Sequence, residues 1–98
     1  MLIKIHKLYR DIVAVCDSEL LGKCYEEGKK ILDVRESFYN GEEVEENKAV
    51  KMMKDMAAED ATFSIVGKKS CEAALKAGII SKEGIKKVKG IPFALVLM

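Results

Sequence analysis

Two runs of this sequence, residues 12–16 and 91–98, are apolar at every position. A strand is apolar at every position when both faces of its sheet are covered. Pro92 cannot donate a hydrogen bond to a neighbouring strand, which fits its place near the beginning of the second run. A chain of 98 residues can build one core but not two. The sequence therefore predicts a single domain, residues 1–98, around a sheet with cover on both sides.

Alternating apolar and polar residues predict further strands over residues 2–8 and 30–36, and the pattern also favours strands over residues 62–66 and 85–88. An apolar stripe predicts a helix over residues 42–58, and a second helix is expected after Gly67. Asp17 is expected to cap a short helix that ends at Gly22. The predicted fold class is α/β, with α+β as the alternative: a mixed β-sheet of five or six strands, two main helices and one short helix.

The formal net charge is +1, but the charge is unevenly distributed along the chain. Residues 1–60 carry ten basic and fourteen acidic side chains, whereas residues 61–98 carry seven lysines and two glutamates. This asymmetry points to a polyanionic or a protein partner. The early charges are unlike a signal peptide, and no apolar run approaches the ~18–20 residues that span a bilayer. We expect a cytoplasmic protein without a membrane partner.

Cysteine and histidine form no recognisable catalytic or metal centre. Cys16, Cys24 and Cys71 lack the close spacing of zinc ligands, and their odd number argues against a disulfide framework. His6 lies on a predicted strand without an evident partner, so a structural or solvent-facing role is expected. We therefore expect no metal, no cofactor and no catalytic residue. The sequence leaves open whether the protein is an enzyme and favours a non-enzymatic role.

The most suggestive local pattern is Gly67-Lys68-Lys69-Ser70, which follows a predicted strand and opens a predicted helix. Free N–H groups and the positive end of the helix dipole make such a turn a place where an anion can bind. The P-loop pattern would need a glycine at position 62, where this chain has Thr62. An ordinary strand–helix turn with solvated lysines is the alternative interpretation.

Further lysines extend the positive charge beyond this turn, namely Lys76, Lys82, Lys86, Lys87 and Lys89. Together with Lys68 and Lys69 they could form one basic surface. No arginine occurs in residues 61–98, and lysine is a point charge that suits contact with a phosphate backbone without choice of sequence. A solvated, lysine-rich face of a thermostable protein is the alternative.

Five motifs follow one another along the chain: residues 17–23 (DSELLGK), 38–42 (FYNGE), 65–67 (IVG), 77–80 (AGII) and 90–92 (GIP). In this order and spacing they resemble the archaeal domain of unknown function 424 family. The resemblance implies an archaeal cytosolic protein and a loose association with translation and RNA-related proteins. The chain departs from the family pattern at Ser64, where the family tends to have Asn, and at Phe93, where it tends to have His.

The resemblance carries over Asp17, Leu21, Gly22, Phe38, Tyr39, Gly41, Gly67, Gly78 and Pro92, most of which are caps, turns and packing positions. Tyr39 lies in a predicted loop, where an exposed aromatic ring could stack on a base. The alternative is a tyrosine that packs the loop onto the sheet.

These observations favour a non-enzymatic module that binds RNA or a ribonucleoprotein through its lysine-rich C-terminal half. Two alternatives stay open: an anion- or nucleotide-using enzyme built around the Gly67 turn, and a protein–protein adaptor whose acidic helix and basic segment meet oppositely charged partners. The all-apolar C-terminal strand must be covered, so a homodimer through this strand is a further expectation.

Overall fold

The computed structural model describes residues 1–97 and contains, within them, eight strands and three α-helices. The strands are β1 (Leu2–His6), β2 (Ile12–Cys16), β3 (Cys24–Glu27), β4 (Lys30–Asp33), β5 (Glu42–Glu43), β6 (Thr62–Val66), β7 (Lys86–Val88) and β8 (Ile91–Val96). The helices are α1 (Glu36–Tyr39), α2 (Glu46–Ala58) and α3 (Lys68–Ala77), and short 3-10 turns lie at Ser18–Leu20 and Lys82–Gly84.

Six strands form one mixed sheet in the order β5-β1-β2-β6-β8-β7, and β3 pairs with β4 in a separate hairpin. The predicted fold is confirmed in its α+β form. Only β2 and β6 are parallel among the sheet neighbours of residues 1–97, with Cys16 opposite Val66. The carboxyl ends of these two strands therefore meet at one end of the sheet, which brings Asp17 beside Gly67.

Helices α2 and α3 cover one face of the sheet. The strands contribute Val13, Val15, Phe63 and Ile65 to this core, and the helices contribute Ala49, Met53, Cys71, Ala73 and Ala74. The predicted stripe of α2 explains the packing, because Ala49 and Met53 are one helical turn apart and both are fully buried.

The predicted start of α2 at residue 42 is wrong, since the helix begins at Glu46. Glu42 and Glu43 instead form β5, the edge strand that pairs with β1. Gly41 permits this close approach, because a Cβ atom there would lie 2.1 Å from the carbonyl oxygen of Ile3. Tertiary pairing thus overrides the local preference of glutamate for the first turn of a helix.

The β3–β4 hairpin, α1 and the first 3-10 turn cover part of the other face. Leu20, Leu32, Val34 and Tyr39 pack there against the sheet. The strand predicted over residues 30–36 is the shorter β4, and Tyr39, which was predicted to lie in a loop, is the last residue of α1. Within residues 1–97, no helix combines the length and the apolar character that crossing a bilayer requires.

The C-terminal strand β8 lies inside the sheet, between β6 and β7. Its cover is incomplete: Ala94 is buried, but Leu95 is 63% exposed and Leu97, just beyond the strand, is 82% exposed. Residues 1–97 therefore do not themselves supply the predicted cover at the end of this strand. Residue 98 of the predicted strand lies outside the described residues.

Candidate binding groove beside α3

The carboxylate of Asp17 caps the N-terminal end of α3. It is 6% exposed and accepts hydrogen bonds from the backbone N–H groups of Lys69 at 3.1 Å and Ser70 at 2.8 Å. The Ser70 hydroxyl donates a third hydrogen bond to it at 2.7 Å. The Asp17 side chain makes no capping hydrogen bond to the 3-10 turn that follows it. Asp17 therefore occupies the predicted N-cap position of the short helical turn, but its side chain caps α3 instead, about fifty residues further along the chain.

Gly67 makes this contact possible. Its φ is +110°, and a Cβ atom at this position would lie 2.3 Å from the Cγ of Asp17. The turn predicted to bind an anion thus has an anionic partner within the chain, in the manner expected of a helix N-terminus. A phosphate at the amides of Lys69 and Ser70 would have to displace a buried carboxylate, at the cost of that carboxylate's hydrogen bonds.

A groove of about 400 Å³ opens beside α3, between this helix and the turn that joins β7 to β8. Its walls combine apolar and charged side chains, namely Leu75, Ile85, Pro92, Lys68, Lys87 and Glu72. We call it the α3–β7 groove. Lys68 belongs to α3 and Lys87 to β7, so the two elements that form the groove each contribute one cation. Cys71 also lines the groove and is 3% exposed.

None of the other predicted lysines is among the lining residues of the groove. Lys86 and Lys87 are neighbours on β7, so their side chains point to opposite faces of the sheet. Lys76 forms an ion pair with Glu46 of α2. Lys89 sits in the β7–β8 turn with φ +53°, and its N–H donates to a carboxylate oxygen of Glu27 at 3.0 Å.

Lys69 is exposed next to Lys68, and Lys82 is exposed in the second 3-10 turn. The structure therefore brings Lys68 and Lys87 to one groove, and the other five predicted lysines lie outside its lining. The period of two in β7 directs Lys86 away from Lys87, and Lys76 pairs with Glu46.

Tyr39 is a packing residue. Its side chain is 5% exposed, and its hydroxyl shares a hydrogen bond of 2.7 Å with the Ser64 hydroxyl. Burial raises the pKa of the Tyr39 phenol, which the Ser64 hydrogen bond partly offsets. The ring is therefore not free to stack on a base, and the alternative role is the one observed. The exposed tyrosine is Tyr9, in the β1–β2 turn, which none of the sequence motifs includes.

His6 also has a structural role, as expected. Its ring stacks on Phe38 with 4.6 Å between ring centroids, and its Nε2 lies 2.8 Å from the Phe38 carbonyl oxygen. All three cysteines are free. Burial, followed by the charge of Asp17, raises the pKa of both Cys16 and Cys71 to about 11. In residues 1–97, no three side chains of His, Cys, Asp and Glu gather where they could hold a metal ion.

A larger cavity, of about 760 Å³, lies at the opposite end of the sheet, between the β1–β2 turn and the end of α2. Its lining is mostly charged: Lys7 and Arg10 stand beside four carboxylates, namely Asp11, Asp55, Glu59 and Asp60. Two of them are already paired, Asp11 with Lys7 and Asp55 with Lys51. The α3–β7 groove is the better candidate despite its smaller volume, because apolar surface and a few charged groups converge there.

The chain is similar to one protein family and to one solved structure. The family described as "Protein of unknown function (DUF424)" matches residues 6–98. The crystal structure of an uncharacterized conserved protein from Methanopyrus kandleri superposes with a TM-score of 0.83 and 25% sequence identity, over 99% of this chain and 92% of the other. No curated protein matches the sequence.

Proposed function

Starting from the fact that this chain belongs to the DUF424 family of proteins of unknown function, we propose that it is a non-enzymatic binding module. Its ligand is an acidic, partly apolar segment of a protein partner, held in the α3–β7 groove. The observation that carries this proposal is the placement of Lys68 and Lys87 around the apolar side chains of Leu75, Ile85 and Pro92.

The groove suits a short peptide segment better than a uniform polyanion. Its apolar wall can bury aliphatic side chains of a ligand, which is the main source of affinity in such sites. Lys68 and Lys87 supply two cations for carboxylates. Glu72 stands in the same lining and repels a third anionic group nearby. A segment that alternates acidic and apolar residues can satisfy all three features, whereas a continuous phosphate backbone cannot.

RNA binding is the second candidate. It is favoured by the exposed Lys69 next to Lys68 at the start of α3, because adjacent lysines can follow a phosphate backbone. Against it stand the position of the other five predicted lysines outside the groove and the burial of Tyr39. The groove lining contains no aromatic ring on which a base could stack.

An enzyme built around the Gly67 turn receives the least support. The amides of Lys69 and Ser70 are engaged by Asp17, so the turn stabilises the fold rather than offering open donors. Lys68 and Lys69 retain exposed side chains there, but two surface cations do not constitute a catalytic site.

A titration with defined probes tests the proposal. The probes are a fluorescent peptide of alternating glutamate and leucine, a peptide of glutamate alone, and a single-stranded RNA of equal charge. We expect the alternating peptide to bind most tightly, and the Lys68→Ala/Lys87→Ala variant to lose about tenfold in affinity, since each partly exposed charge pair contributes up to about 1 kcal/mol. The matched control is Lys29→Ala/Lys30→Ala, in two exposed lysines of the β3–β4 hairpin, which should bind like the wild type.

Two results would count against peptide binding in this groove. Equal binding by the wild type and the Lys68→Ala/Lys87→Ala variant would show that the peptide does not bind in the groove. Tighter binding of RNA than of either peptide, with a steep loss on raising the salt concentration, would favour the second candidate instead.

A further inference from the structure

The second half of β8 has a free edge. On one side, Ala94, Leu95 and Val96 pair with β6. On the other side, β7 reaches only as far as Phe93, which lies opposite Lys86. Within residues 1–97, no strand follows β7 along this edge. Three residues of an otherwise internal strand are therefore at the boundary of the sheet.

The hydrogen-bonding groups of Leu95 point outward at this edge. In an antiparallel ladder, alternate residues direct their N–H and C=O groups to opposite sides. The carbonyl oxygen of Pro92 accepts a hydrogen bond from the Gly67 N–H, so residues 92, 94 and 96 face β6. The backbone N–H and C=O groups of Leu95 consequently point to the β7 side of β8, beyond the end of β7, and offer one donor and one acceptor there.

The remaining edges of the sheet are protected, and this one is not. Strand β5 consists of two glutamates, and β7 has three residues, of which two are lysines. Short, charged strands discourage pairing with another chain. Residues 94–97 carry no charge, and Leu95 and Leu97 are 63% and 82% exposed. An uncovered apolar edge of this kind is a site for strand addition.

We propose that this edge is covered by the same edge of a second copy of the chain. The exposed apolar side chains select the occupant: a strand laid along this edge must cover Leu95 and Leu97 with apolar side chains of its own, and both other edges of this sheet carry charged residues. Antiparallel pairing of residues 95–97 with themselves meets that requirement.

The pairing is self-complementary, as a two-fold axis demands. An axis near Val96 sets Leu95 of each copy opposite Leu97 of the other. The two residues are two positions apart, so the four leucines lie on one face of the joined sheet. The outward N–H and C=O groups of Leu95 gain partners, and the sheet becomes continuous across the dimer.

The test is the oligomeric state at several protein concentrations, by sedimentation equilibrium. We expect a concentration-dependent dimer for the wild type, and at least tenfold weaker association for Leu95→Lys, which places like charges close together at the axis. Ile31→Lys is the matched control, because Ile31 is 66% exposed on the hairpin; it should dimerise like the wild type. Circular dichroism checks that both variants are folded.

Amide hydrogen exchange on the wild type gives a second, independent measurement. The Leu95 amide should exchange slowly at high concentration and faster on dilution, whereas the amides of Ala94 and Val96, which face β6, should be protected at both. A monomeric wild type at every concentration would overturn the proposal. The proposal would also be overturned if Leu95→Lys left dimerisation unchanged, or if the exchange rate of the Leu95 amide did not depend on protein concentration.

Discussion

Asp17 and Ser70 are joined by two hydrogen bonds, of 2.8 Å from the Ser70 amide and 2.7 Å from its hydroxyl, although 53 residues separate them in sequence. Both side chains are buried. The contact fixes the start of α3 to the end of β2, and therefore fixes one wall of the α3–β7 groove relative to the sheet. Removing one partner of a buried, fully hydrogen-bonded polar pair lowers stability, because the other partner is left buried without its hydrogen bonds.

Asp17→Asn should lower the free energy of unfolding by about 1–3 kcal/mol, because the amide loses the charge that strengthens hydrogen bonds from Lys69 and Ser70. Urea denaturation followed by circular dichroism measures the change. Asp55→Asn is the control, since its exposed pair with Lys51 is worth at most about 0.5 kcal/mol. Equal effects of the two substitutions would mean that Asp17 is not a buried cap.

Gly67→Ala should be more harmful than Gly78→Ala. Both residues have positive φ, but the added methyl group meets the Asp17 carboxylate at position 67 and nothing within 4 Å at position 78. We expect a loss of about 1 kcal/mol at Gly78, from backbone conformation alone, and of roughly 2–4 kcal/mol at Gly67. Thermal unfolding of the two variants gives the comparison, and similar melting temperatures would contradict the clash.

Stability should depend on pH in the alkaline range because of two thiols. Burial raises the pKa of Cys16 and Cys71 from 9.0 to about 11, so the folded state favours the protonated form. Their contribution to stability is complete below pH 9.0 and is lost as the pH rises towards about 11.

Urea denaturation across that range measures the effect. The decline should be smaller in Cys16→Ala/Cys71→Ala than in the wild type. Cys24→Ala changes an exposed thiol and serves as the control, with the same pH profile as the wild type. If the double variant keeps the wild-type profile, the two buried thiols do not titrate as described.

Tyr39→Phe should reduce stability modestly and leave peptide binding unchanged. It removes the hydrogen bond to Ser64, worth about 0.5–1.5 kcal/mol. Ser64→Ala should cost a similar amount, and the double variant should cost less than the sum, because both changes break the same bond. A tenfold loss of affinity in Tyr39→Phe would instead assign this residue to the binding site.

Local patterns predicted much of this fold. The apolar runs of β2 and β6 and the apolar stripe of α2 are each contained in a short stretch of five to a dozen residues. They could not show which helix Asp17 caps, since the answer depends on the parallel pairing of β2 with β6. They also misplaced Glu42 and Glu43, whose pairing with β1 is a contact across some forty residues.

The candidate site was predicted only in part. Lys68 and Lys87 were both expected to take part in binding, but the apolar residues Leu75 and Ile85 between them were not. One signal was present: a strand at residues 86–88 has a period of two, so neighbouring lysines in it must face opposite ways. The convergence of Lys68 with Lys87 comes from the packing of α3 against β8, which no local pattern encodes.

The most direct measurement is a map of backbone amide chemical shifts in the isotope-labelled protein during titration with the alternating glutamate–leucine peptide. Peptide binding in the α3–β7 groove predicts that the largest changes fall on Lys68, Leu75, Ile85 and Lys87. Changes centred on Tyr9, Asp11 and Asp60 at the opposite end of the sheet, or no saturable change at all, would contradict it.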